Sequence, residues 1–102
     1  MKSDQAGREQ ALASYRAALR TMQEELRKRR LLRWVPALED WEGQLSAGMD
    51  DEDLCRHARR TMRSLGGMES IGEMASGLRD RALIELVEHL HNAAKRVAAL
   101  RK

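Results

Sequence analysis

The residues of this sequence that could do chemistry fall into a few clusters. Two clusters are basic. The run Arg27-Lys28-Arg29-Arg30, followed by Arg33, is one; Arg56, Arg59, Arg60 and Arg63, with His57 among them, is the other. Such strips could hold phosphates, because neutralising a nucleic-acid backbone releases counterions. No base-stacking aromatics interleave with them. Cations near helix C-termini also complement the macrodipole without any ligand. Nucleic acid is therefore a disfavoured partner, and binding through Arg27, Arg29, Arg30, Arg56, Arg59, Arg60 and Arg63 would be weak and salt-sensitive.

The other clusters are acidic, imidazole, thiol and glycine groups. Asp50-Asp51-Glu52-Asp53 lacks the alternating ligands, central glycine and distal glutamate of a calcium loop. Glu88-His89-Leu90-His91 holds one Glu-x-x-His, whereas di-iron bundles use two copies and two further glutamates. His89 and His91 lie two residues apart, so they diverge on a helix. Cys55 neighbours Arg56 and His57, and a cation can activate a thiol. Helical neighbours point apart, though, and a buried, inert cysteine is the expectation. Gly66-Gly67 has neither the spacing, the lysine nor the preceding strand of a phosphate-binding loop. No catalytic, cofactor or metal site is expected. An enzyme or metal protein built on Glu85, Glu88, His89 and His91 is the last of three readings.

Ser3 and Asp4 can cap a first helix, or Gly7 delays its start and residues 1–7 fray. Leu12, Tyr15, Leu19, Met22 and Leu26 recur at steps of three and four, which predicts one long helix reaching about Arg30, from Arg8 in the second case. Pro36 suits the first turn of a second helix, and Val35 before it marks a break. The second seam is Trp34, Leu38, Trp41 and Leu45, stopped by Gly48. Asp50 caps a third helix with the seam Leu54, Ala58, Met62 and Leu65, closed by Gly66-Gly67. A short helix or tight loop follows, capped by Ser70 and ended by Gly77. A last helix spans about 79–100 on Leu83, Leu86, Leu90, Ala93, Val97 and Leu100.

The expected fold is all-α. One domain of 102 residues forms a compact bundle of two long terminal helices with two or three shorter ones between. Apolar residues make up 42% and charged residues 34%. Phe is absent, so Leu, Ala and Met must build the core. The single cysteine fits a reducing, cytoplasmic setting. The polar start has no signal core, and no stretch approaches the roughly eighteen apolar residues that spanning needs, so no membrane partner is expected. Two helices of about 35 Å outrun a domain whose radius of gyration is near 13 Å, which points to a twofold homodimer.

The segment Leu65-Gly66-Gly67-Met68-Glu69-Ser70-Ile71-Gly72-Glu73, with the tryptophan helix and acid-capped helix before it, resembles a small bacterial all-helical family of uncharacterised function. That family carries a Gly-Gly-Met-Gly-Ser turn, then an apolar residue and Asn-Asp. Glu69 departs from the second glycine, and Gly72-Glu73 from Asn-Asp. The resemblance implies an all-helical domain and no particular activity. The leading expectation is a non-enzymatic bacterial interaction or regulatory module. Its partner-binding turn would comprise Gly66, Gly67, Met68, Glu69, Ser70 and Glu73, with Ser70-x-x-Glu73 also spaced as a capping box.

Overall fold

The computed structural model describes residues 2–45, 49–65 and 71–100, without the side chains of residues 2–6. Five helices and no strand occur among them: α1 (Lys2–Lys28), α2 (Val35–Gln44), α3 (Asp51–Leu65), α4 (Ile71–Leu78) and α5 (Arg81–Ala98). At 1.5 Å per residue, α1 is about 40 Å long and sets the 44 Å long axis of the molecule.

The helix signals act much as expected. The α1 seam, Leu12 to Leu26, is buried throughout. Pro36 sits in the first turn of α2, where its missing N–H costs nothing. Val35 is that helix's buried first residue rather than a break before it. The Asp50 carboxylate accepts the Asp53 N–H at 2.8 Å, capping α3. The segment after α3 resolves as a helix, α4.

Several boundaries differ from the sequence reading. α1 begins at Lys2, carrying Gly7 inside it. Gly77 lies within α4 and does not end it; Arg79 does, at φ 55° with its N–H on the Ser76 carbonyl. α5 starts at Arg81 because Asp80 caps it, accepting the Leu83 N–H at 3.1 Å. α1 closes in the same left-handed manner. Arg30 has φ 58°, its N–H bonds to the Arg27 carbonyl, and the Leu31 N–H reaches back to Leu26. That is the Schellman pattern, with arginine where glycine is usual.

Ion pairs reveal the helix directions. Arg8 meets Asp51, so α1 and α3 start at one end and run parallel. Arg29 meets Asp80, so α5 returns antiparallel to α1. Arg20–Glu42 and Arg27–Glu39 set α2 antiparallel against α1. The core lies between α1, α3, α4 and α5, and α2 adds Val35 and Leu38 to it. Leu19, Met22, Leu54, Ile71, Leu83, Leu90 and Val97 are fully enclosed there, each contributing about 1.5–3 kcal/mol of burial. Met62 and Met74 fill its margin.

Candidate functional site

His57 does not join the arginine strip. It lies on the inward face of α3, between Leu54 and Thr61, and is buried. Its Nε2 is 2.6 Å from the Trp41 carbonyl oxygen of α2, which can only accept, so Nε2 carries the proton. Nδ1 is then an acceptor, and the Tyr15 hydroxyl donates to it at 2.7 Å. The Tyr15 oxygen in turn accepts from the Thr61 hydroxyl at 2.6 Å. Burial lowers the His57 pKa, the hydrogen bond to Trp41 works against this, and Arg60 adds to the lowering. Burial pushes the Tyr15 phenol up to about 12 against the opposing Thr61 bond. This hydrogen-bonded relay is largely buried, and its side-chain atoms all have partners. It ties α1, α2 and α3 together and offers a substrate no entry.

Cys55 is buried at 3% exposure, with Sγ 3.4 and 3.3 Å from the Val97 and Ala98 carbonyl oxygens. Glu85, Glu88, His89 and His91 are all exposed, and no group of three metal-ligating side chains forms among the described residues. Of the seven arginines, three pair with described carboxylates. Arg27 meets Glu39, Arg29 meets Glu25 and Asp80, and Arg56 lies more loosely beside Glu52 and Asp53. The Arg29 guanidinium and then the Leu83 N–H hold the Asp80 carboxyl below the usual range. Arg30, Arg59, Arg60 and Arg63 are exposed. No helix of the described residues is long and apolar enough to cross a membrane.

Two clefts open on α5. One, of about 340 Å³, lies between α3 and α5. Met62, Leu65 and Val87 supply its apolar lining, and Glu88, His91 and Asn92 its polar one. The other, of about 470 Å³, lies between α4 and α5, with Ile84 among Ser76, Arg79, Arg81, Glu85 and Glu88. Neither a known protein family, nor a curated protein, nor a solved structure matches the chain.

Of the turn residues expected to bind a partner, Gly66, Gly67, Met68, Glu69 and Ser70 lie outside the described residues, as does Gly48. Glu73 is exposed on the first turn of α4. Both flanks of the turn reach the α3–α5 cleft. Leu65 lines it, and Gly72 packs so closely that a Cβ there would stand 2.4 Å from the Leu65 carbonyl oxygen and 3.6 Å from Val87 Cγ1. Spacing in the sequence points to residues 66–70 as a turn, and those residues lie outside the described ones. Spacing could not show that α5 supplies the opposite wall, because Val87, Glu88, His91 and Asn92 read simply as helix positions.

Proposed function

We propose that this chain is a non-enzymatic bacterial interaction module that works in the cytoplasm, with the α3–α5 cleft as its contact surface. The observation that carries this reading is the position of the cleft. Its apolar lining of Met62, Leu65 and Val87 has a polar margin, Leu65 directly precedes the Gly-Gly-Met segment, and Gly72 just after that segment packs on Leu65 and Val87. Segments that join helices are common carriers of binding residues, and an apolar centre with a polar rim is the usual anatomy of a contact. The partner is another protein that places an apolar side chain between Met62 and Val87, or a second copy of this chain.

The test is affinity capture from native lysate, with and without nuclease. His91→Ala with Asn92→Ala alters exposed rim positions, and Glu69→Lys alters the turn. Each is expected to abolish capture while leaving the melting temperature unchanged. Unaltered capture by both variants would reject the cleft as the contact surface. A nuclease-sensitive partner would favour the second reading, in which exposed Arg59, Arg60 and Arg63 meet a phosphate backbone weakly.

A further inference from the structure

The end of the bundle where α1 stops and α5 starts has features that the cleft does not use. Residues 27–34 and 78–81 are tied together there by the Arg29–Asp80 pair. These two segments hold seven Arg or Lys, of which Arg27, Lys28 and Arg29 pair with three acids, Glu39, Glu25 and Asp80, leaving an excess of four cations. The whole chain has nineteen bases and sixteen acids, which leaves twelve bases against thirteen acids elsewhere. The molecule is therefore polarised, with one cationic end and a nearly neutral remainder.

The same end carries the two large apolar side chains that stand exposed among the described residues, Leu32 at 58% and Leu78 at 54%. They lie within three and two residues of the Arg29–Asp80 pair, and neither lines a cleft described above. Trp34 is half-buried beside them, with the Arg33 guanidinium 5.2 Å from its ring centroid. Both helices that stop here are closed by arginine, Arg30 and Arg79, in a backbone conformation that favours glycine. Glycine would relax both turns, yet each retains a cation.

We infer that this end docks on the surface of an anionic lipid bilayer. The surplus cations, exposed Arg30, Arg79 and Arg81 among them, meet the acidic headgroups, whose attraction for basic clusters is additive over residues. Leu32 and Leu78 enter the headgroup–acyl boundary, where apolar side chains gain burial. Trp34 is of the residue type that settles at that depth. A nucleic-acid backbone would use the arginines but leave both leucines facing water. Docking of this kind needs no spanning helix, and it does not rest on the cleft reading.

The test is sedimentation of the full chain with phosphatidylcholine vesicles, with and without phosphatidylglycerol. Binding is expected only to the anionic vesicles, and it should disappear at about 1 M salt, where the screening length falls to about 3 Å. Leu32→Ser with Leu78→Ser should weaken partitioning about tenfold or more, given the transfer value of each buried methylene, at an unchanged melting temperature. Arg30→Gly with Arg79→Gly should raise the melting temperature and weaken partitioning. Absence of binding to anionic vesicles at low salt would overturn the inference. So would full binding by the leucine pair variant, or by the glycine pair variant, since arginines with a merely structural role would not move partitioning. Leucine-independent binding of duplex DNA in place of vesicles would equally overturn it.

Discussion

Replacing Tyr15 with Phe removes a single oxygen and so isolates the polar chain at the centre of the bundle. The Tyr15 hydroxyl donates to His57 Nδ1 at 2.7 Å and accepts from Thr61 Oγ1 at 2.6 Å. After substitution the Thr61 hydroxyl can turn to the carbonyl one helical turn back, a familiar fallback for threonine. His57 Nδ1 has no such recourse, because its ring is held by Nε2 on the Trp41 carbonyl. One buried acceptor is orphaned, at a cost of about 1–3 kcal/mol. The expected loss is therefore about 2 kcal/mol, or roughly 8–16 °C in melting temperature for a domain of this size. Thr61→Val is the control. It leaves the Tyr15–His57 bond intact and should cost about 1 kcal/mol. The double variant should lose less than the sum, since both substitutions break the same bond. Thermal and urea unfolding followed by circular dichroism measure all three. A shift below about 2 °C for Tyr15→Phe would show that the hydroxyl does not hold His57.

Three further outcomes follow from the same interior. His57 has its folded pKa depressed below the unfolded value of about 6.5, so its contribution is complete above that pH and is lost as pH falls toward the folded pKa. Urea midpoints should be flat above about pH 6.5 and decline below it, and replacing His57 with Gln should flatten that decline. Gly72→Ala drives a Cβ into the Leu65 backbone carbonyl, and overpacking of this kind costs about 1–3 kcal/mol, read from the urea midpoint. Cys55 should react with a thiol reagent only at the rate at which the chain opens, because its sulfur is enclosed; labelling of native protein within seconds would contradict the buried position.

Much of the architecture was legible because apolar spacing in helices reports the core directly. The seam from Leu12 to Leu26 and the residues Leu83, Leu90, Ala93 and Val97 all turned inward. Asp50 announced its own cap. His57 was misassigned because its chemistry was weighed above its position. It falls between Leu54 and Thr61 on the inward face, yet a basic residue flanked by arginines reads as surface. Its partner Tyr15 lies 42 residues away, and no local pattern connects them. Arg79 and Arg30 defied the glycine rule for helix ends, since tertiary ties such as Arg29–Asp80 hold those turns shut. The outer wall of the cleft was invisible for the same reason. Half-buried Val87 and exposed Glu88, His91 and Asn92 acquire meaning only when α5 is laid against α3.

The antiparallel packing of α1 against α5 has a consequence for the order of synthesis. The first helix leaves the ribosome complete at Lys28, with the whole seam from Leu12 to Leu26 bare. The helix that covers much of that seam is finished only near Val97, roughly 4–14 s later at ordinary elongation rates. Through that interval α1 has only α2 and then α3 for company; α2 lends two buried side chains, Val35 and Leu38, and α3 meets α1 through Arg8–Asp51 and the Tyr15 hydroxyl. The nascent chain thus carries an unsheltered leucine ridge until its fifth helix arrives. Slowed translation between residues 65 and 81 should prolong that exposure, lowering the yield of folded protein while leaving the stability of the finished molecule untouched.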